Sequence, residues 1–185
     1  FQFRESIEKN EIFDLTKTLY PFFAEEYFLP WNFEEIETQI DKSIKKLVDN
    51  NLLIIKENEV KRPNVNSEEF IECQALGRIA QRSIDRFYIL MLQLWRNEES
   101  HISINELEKK CRKISKNLEA RHSWLMPEFS EKWTFDLFIN HLIEAKFVKK
   151  DEKGFVYPLN ITKRIEDDFK TFITPEWQEE LFNLE

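Results

Sequence analysis

Glycine and cysteine are both scarce in this chain of 185 residues, which contains two of each. The shortage of glycine argues against phosphate-binding glycine loops and against large sheets joined by tight turns, and it suits helices with short polar connections. Cys73 and Cys111 lie too far apart in sequence to predict a disulfide framework or a zinc site. We therefore expect reduced thiols, as in a cytosolic protein, with no metal and no cofactor.

Long hydrophobic runs are absent as well. The longest apolar stretch, residues 87–92, is far shorter than the roughly 20 residues that a membrane-spanning helix needs. No signal peptide is recognisable, and the chain begins at Phe1 instead of methionine. The sequence therefore predicts a piece of a longer protein, with no transmembrane segment in this piece.

Basic residues are also few relative to acidic ones. The chain has 27 Lys and Arg residues and 35 Asp and Glu residues, which gives a formal net charge of −8. A surface of this sign repels nucleic acid unless its basic residues are segregated. No basic cluster of that strength is visible, so we expect no nucleic-acid partner.

Large apolar side chains, in contrast, are plentiful, with 17 Phe and five Trp. Apolar residues recur at steps of three and four, which predicts amphipathic helices. These helices are expected over residues 5–18, 22–28, 33–48, 68–95, 104–118, 131–145 and 162–172, with a last one opened by Thr174-Pro175. Pro21 is expected to separate the first two, and Ser67 and Ser103 are predicted N-caps.

Two β-hairpins are predicted, near residues 52–62 and 147–157, each with an acidic turn. Residues 47–63 align without a gap to residues 142–158. Helices followed by a two-stranded wing resemble winged-helix modules, although any helix-to-hairpin unit looks similar over so short a stretch. The predicted fold class is mostly α, a helical domain with two short β-hairpins and two winged-helix-like units around a long central helix.

Motifs for catalysis are lacking in the sequence. His101, His122 and His141 have no second His or Cys at zinc-ligand spacing, and His122 and His141 are interpreted as structural. Serine-hydrolase, P-loop and dinucleotide-binding fingerprints are absent. We predict no catalytic, cofactor-binding or metal-binding residue in this chain.

Arg78, Arg82 and Arg86 repeat every four residues and therefore share one helix face. Aligned guanidinium groups suit the carboxylates of an acidic partner, so these arginines are a candidate docking site. The alternative is that the stripe is left in water or paired internally with Glu69, Glu72 and Asp85.

The aromatic segment over residues 20–31 is suited to core packing, to docking on a neighbouring domain or to a bilayer interface. Its acidic flanks, which include Glu25 and Glu34, disfavour anionic lipid. Packing or docking is therefore the preferred interpretation.

Several segments resemble, in order along nearly the whole chain, the C-terminal region of bacterial membrane-bound glycerol-3-phosphate 1-O-acyltransferase. They are LYPFFAEEYFL (19–29), LVDNNLL (47–53), RFYIL (86–90), LEKK (107–110), PEF (127–129) and TPE (174–176). The resemblance implies one compact C-terminal domain of a larger enzyme. The sequence pattern predicts that this domain is divided into a helical unit with the first hairpin (1–66), the long central helix (67–98) and a second helical unit with the second hairpin and the C-terminal helices (99–185).

The resemblance also implies a parent enzyme at the cytoplasmic face of the bacterial inner membrane. That enzyme transfers a fatty acyl group from acyl carrier protein or coenzyme A to position 1 of glycerol 3-phosphate, the first step of phospholipid synthesis. Its hallmark is His-x-x-x-x-Asp, in which the carboxylate orients the histidine as general base. The residues five positions after the three histidines are Glu106, Pro127 and Lys146, so the motif is absent and no catalytic residue is carried over.

The partners implied are the catalytic domain of the same polypeptide and acyl carrier protein. A free-standing, winged-helix-like scaffold for protein interaction remains the alternative, and a DNA-binding regulator is a weaker one.

Negligible affinity for duplex DNA is the first testable prediction, because the net charge and the acidic hairpin turns oppose phosphate. Fluorescence anisotropy at moderate salt should show no binding tighter than high micromolar. Tight binding that weakens steeply with salt would favour the regulator interpretation instead.

Overall fold

Helices make up most of the structure, a computed structural model that describes residues 4–97, 101–122, 127–144, 146–159 and 170–184. They are α1 (Lys9–Glu26), α2 (Ile36–Asp49), α3 (Glu68–Arg96), α4 (Ile104–Arg121), α5 (Lys132–Glu144) and α6 (Pro175–Asn183). Short 3₁₀ turns cover Phe33–Glu35 and Pro127–Ser130. The strands are β1 (Ser6–Glu8), β2 (Ile54–Lys56), β3 (Glu59–Lys61), β4 (Ile102–Ser103), β5 (Val148–Lys150) and β6 (Phe155–Pro158).

The chain divides into two compact units, residues 1–81 and residues 82–185. The boundary lies within α3, so the first part of this helix belongs to the N-terminal unit and the rest to the C-terminal unit. The division of the sequence at residues 66/67 and 98/99 stays a prediction.

The N-terminal unit contains a three-stranded antiparallel sheet in the order β1-β3-β2. Val60, at the centre of β3, pairs with Ile7 on one side and Ile55 on the other. Val60 is completely buried and forms a core cluster with Ile44 of α2 and Leu53. The sheet therefore closes over the apolar face of α2, where the steps of three and four predicted it.

The C-terminal unit repeats this plan with the order β4-β6-β5. Val156 lies at the centre of β6, pairs with Ile102 and Lys150, and is completely buried. Phe138 of α5 meets the ring of Phe87 edge-on, with 5.8 Å between ring centroids. The core of this unit therefore combines the sheet, α5 and the C-terminal part of α3.

Both units share the topology strand, helix, helix, strand, strand, with the last strand between the other two. This is the arrangement of a winged-helix module, so the mostly α fold with two short hairpins is confirmed. The predicted ungapped alignment is correct before the turns and displaced by one residue after them. The displacement arises because the second turn is one residue longer and uses Gly154 at φ +84°, where a side chain is strained.

Local sequence signals at the helix ends are also confirmed. The three predicted capping side chains accept backbone N–H groups as expected: Ser67 from Phe70 at 3.2 Å, Ser103 from Glu106 at 3.2 Å, and Thr174 from Trp177 at 3.0 Å. Each bond satisfies one of the N–H groups that the first turn of a helix leaves without a partner.

The expected break at Pro21 is wrong, because α1 continues through this residue. Proline lacks one N–H donor, but Leu15, Leu19 and Tyr20 are buried just before it. Their burial holds the helix together across the missing hydrogen bond. The helix expected over residues 162–172 falls largely outside the described residues.

The two short strands β1 and β4 are not predicted by the sequence pattern. Residues 6–8 fall within the first expected helix, and Ile102 and Ser103 mark only the start of α4. Strands of two or three residues are too short to show alternation, and their partners lie more than 50 residues away. These two strands form because they pair with β3 and β6, and no local sequence pattern marks them.

Helix α3 changes its environment along its length. All residues from Phe87 to Leu94 are buried, as the apolar sequence on every side of the helix predicted. Upstream, Leu76 is 48% exposed and Ile79 is 64% exposed. Of the helices in the described part of the chain, none is long and apolar enough to cross a membrane.

Leu90→Ala is expected to lower the free energy of unfolding by about 2–5 kcal/mol, because Leu90 is completely buried and its truncation leaves a cavity. The same substitution at Leu76, in the exposed part of the same helix, should cost less than about 1 kcal/mol. Urea denaturation of both variants measures the difference. Equal losses would show that α3 is not at the centre of a core.

Candidate docking surface

His101 and Glu106, the nearest sequence match to a catalytic histidine–carboxylate pair, are not brought together. The His101 ring packs edge-on against Tyr157, with 5.2 Å between ring centroids. The Glu106 carboxylate lies 3.9 Å from the Lys110 ammonium group, one turn along α4. Within the described parts of the chain, no hydrogen bond or ion pair joins His101 to Glu106.

A histidine–carboxylate contact does exist between His122 and Glu180, and sequence reasoning missed it. The His122 Nε2 atom lies 2.9 and 3.0 Å from the two Glu180 carboxylate oxygens. Arg121 lies 3.7 Å from the same carboxylate, and Trp177 packs edge-on against the imidazole ring. Because this carboxylate contacts both an arginine and a histidine, we interpret the group as a structural link between α4 and α6.

The two cysteines are poor nucleophiles. Burial raises the pKa of the Cys111 thiol, which is completely enclosed, and nearby Glu108 raises it further. Burial also raises the pKa of the half-buried Cys73 thiol. Thiols with raised pKa values stay protonated at neutral pH and react slowly.

The arginine stripe divides into two parts in the structure. Arg86 is half-buried, lies over the Phe129 ring at 5.9 Å, and places a guanidinium nitrogen 3.5 Å from the Glu128 carbonyl oxygen. Arg78 and Arg82 are exposed and make no hydrogen bond or ion pair with any residue that the structure describes. The internal pairing considered from the sequence is therefore not formed by these two arginines.

Exposed apolar side chains are concentrated in the N-terminal unit. Among the described residues, ten large ones are exposed there and three in the C-terminal unit. The ten are Tyr27, Phe28, Trp31, Phe33, Ile54, Ile55, Val65, Ile71, Leu76 and Ile79. Exposed apolar side chains are typical of a protein contact where they lie next to one another, whereas scattered ones are common on any protein surface.

The end of α1 and the exposed part of α3 meet within this surface. The Tyr27 hydroxyl donates a hydrogen bond to the Ile79 carbonyl oxygen at 3.2 Å. Tyr27 also stacks on Phe23, with 5.7 Å between ring centroids. This contact holds the aromatic end of α1 against the helix that carries the arginines.

Phe28 has a strained backbone at the end of α1. Its φ is +51°, the left-handed conformation usually taken by glycine at this position. The Leu29 N–H donates to the Ala24 carbonyl oxygen at 2.9 Å, which closes the helix end around Phe28. The ring is 90% exposed, so internal packing does not explain a phenylalanine there. The strain at Phe28 is therefore not offset by packing of its ring within the described part of the chain.

Comparison with known proteins agrees with the resemblance seen in the sequence. A family model described as glycerol-3-phosphate acyltransferase C-terminal region matches residues 1–151. The chain belongs to this family. No solved structure matches the chain.

Curated relatives named glycerol-3-phosphate acyltransferase are much longer than this chain. The protein of Pseudomonas fluorescens strain SBW25 is 30% identical over 154 residues, which cover 83% of the chain and 18% of the relative. The protein of Ectopseudomonas mendocina strain ymp is also 30% identical over 154 residues, which cover 83% of the chain and 19% of the relative. The protein of Pseudomonas aeruginosa PAO1 is 28% identical. The chain thus spans about a fifth of the length of these relatives and corresponds to their C-terminal region.

Phe28→Gly should leave the free energy of unfolding unchanged or raise it by up to about 1 kcal/mol. Glycine removes the left-handed strain, which offsets the extra freedom that it gives the unfolded chain. Ile71→Gly is a matched control, because Ile71 is 66% exposed but lies beyond the first turn of α3, where glycine costs about 1 kcal/mol. Thermal and urea denaturation measure both. A loss above about 1 kcal/mol for Phe28→Gly would show that the ring is packed.

Proposed function

We propose that this chain is the non-catalytic C-terminal domain of a glycerol-3-phosphate 1-O-acyltransferase. The whole enzyme transfers a fatty acyl group from acyl carrier protein or coenzyme A to glycerol 3-phosphate at the cytoplasmic face of the inner membrane. The observation that carries the proposal is the family match over residues 1–151, in a chain that spans about a fifth of its relatives. In this proposal the chemistry belongs to the rest of the polypeptide.

The arrangement of the histidines supports a non-catalytic role. Acyl transfer to a hydroxyl group requires a base with one ring nitrogen free for the substrate and the other oriented by a carboxylate. In the described part of the chain His101 contacts the ring of Tyr157, and the carboxylate at His122 belongs to Glu180 of α6. Neither pair has the His-x-x-x-x-Asp spacing of the family's base and carboxylate.

The role that we propose for the domain is docking. Arg78, Arg82 and Arg86 form a helical stripe on a chain whose net charge is −8, and the first two form no ion pair with any described residue. Such side chains suit carboxylates of a partner. The catalytic part of the same polypeptide and acyl carrier protein are the partners that the sequence suggested.

The purified chain is expected to give no lysophosphatidate from glycerol 3-phosphate and a long-chain acyl donor, whereas the full-length protein should give it. The reason is the missing histidine–carboxylate base, and the measurement is product formation against a buffer control. In the full-length protein, His101→Ala should keep the activity because His101 lacks a carboxylate partner among the described residues. Product from the isolated chain that disappears in Glu106→Gln would contradict the proposal.

A further inference from the structure

We propose that α3 contains a hinge, in which the helical hydrogen bonds of residues 74–79 open and close while both compact units stay folded. The inference goes beyond the proposed function and holds whichever partner binds the arginine stripe. It rests on three features of these six residues, which are their place between the units, their exposure on every side and their glycine.

The hinge segment, residues 74–79, lies between two parts of α3 that are each held by a core. Just before it, Cys73 is half-buried and packs against the core cluster around Val60 in the N-terminal unit. Just after it, Ser83, Ile84 and Asp85 are buried in the C-terminal unit. The two ends of the hinge segment are therefore fixed to different units.

The hinge segment is exposed around its whole circumference. An α-helix has about 3.6 residues per turn, so six consecutive residues go more than once around it. All six are exposed, and they are Gln74, Ala75, Leu76, Gly77, Arg78 and Ile79. Most helices in proteins owe their stability to a face that packs on a core. Within the described part of the chain, the hinge segment has no such buried face.

Gly77 weakens the helix at the middle of the hinge segment, although the structure does not require glycine there. Gly154, in contrast, has the positive φ that disfavours a side chain. Apart from its chain neighbours and the backbone of its own helix, a Cβ atom added at Gly77 would meet nothing within 4 Å. Glycine in a helix is less favourable than alanine, because it gives more freedom to the open chain. Gly77 therefore favours opening.

One hydrogen bond from another helix reaches the hinge segment among the described residues. The Tyr27 hydroxyl donates to the Ile79 carbonyl oxygen, and both residues are exposed, so water competes for this bond. In an α-helix the same oxygen accepts from the N–H four residues later, that of Ser83. When that helical bond opens, Tyr27 still satisfies the oxygen. The contact therefore does not oppose opening.

Hydrogen exchange of the chain of 185 residues tests the hinge. The carbonyl oxygens of residues 74–79 accept from the amides of residues 78–83 in an α-helix. These amides should exchange about a hundredfold faster than those of residues 87–94, which are buried in the core. The amide of Ile44, in the core of the N-terminal unit, should stay protected. Exchange of residues 78–83 should depend only weakly on urea, because local opening exposes little surface.

Substitutions at exposed positions should change the opening in a known direction. Gly77→Ala should slow the exchange of residues 78–83 about fivefold, and Ala75→Gly should speed it about fivefold. Lys116→Gly is the matched control, because Lys116 is also exposed in the interior of a helix but lies in α4. This control should leave the exchange of residues 78–83 within about twofold of wild type, because the hinge opens without unfolding of the C-terminal unit.

Trypsin gives a second measurement of the open state. Arg78 lies in the hinge segment, whereas Lys116 lies in α4 between the buried residues Ile114 and Leu118. Both basic side chains are exposed, so exposure alone does not favour either site. Cleavage after Arg78 should precede cleavage after Lys116, and Gly77→Ala should slow it about fivefold.

Three results would overturn the inference. The first is equal exchange of residues 78–83 and residues 87–94. The second is exchange of residues 78–83 that rises with urea as steeply as that of Ile44, which would show unfolding of a whole unit. The third is a Lys116→Gly variant that speeds the exchange of residues 78–83 as much as Ala75→Gly does. None of these measurements involves a substrate, so each leaves the acyltransferase proposal unaffected.

Discussion

One continuous helix, α3, has to satisfy two environments. From Phe87 to Leu94 it is enclosed on every side, and its sequence there is apolar nearly all round. From Glu68 to Arg82 much of its surface is exposed, and charges and isoleucines alternate on one face. Removal of the apolar side chains in the enclosed half from water makes the large favourable contribution to the free energy of folding. Burial of Phe87 to Leu94 therefore holds the helix in the core, while the part before Arg82 leaves much of its surface exposed.

Local signals in the sequence predicted the elements that depend on neighbouring residues. The caps at Ser67, Ser103 and Thr174, the two hairpins and the full length of α3 each follow from residues within a few positions. The two short strands depend on partners that are distant in the chain, as does the contact of His122 with Glu180. No sequence periodicity predicts such contacts, because they form only when the chain has folded. At Pro21 the local signal was misleading. A proline usually ends or bends a helix, but α1 continues through it because the residues just before it are buried.

The candidate surface is only partly visible in the sequence. The spacing of Arg78, Arg82 and Arg86 predicts a basic stripe, but the structure commits Arg86 to Phe129 and Glu128. The domain bounds and the role of the arginines remain proposals.

The first strand of each sheet, β1 or β4, lies far along the chain from the strand with which it pairs, and this affects how easily it detaches. Strands β2 and β3 of the N-terminal unit are joined by a turn of a few residues. Pairing of Ser6 with Lys61, in contrast, closes a loop that contains most of the unit. Closing a longer loop costs more conformational entropy, although the cost rises slowly with length. Strands β1 and β4 supply only three and two residues to offset that cost. The first strand is therefore the part of each sheet that joins last and detaches most readily, while the hairpin beside it stays formed.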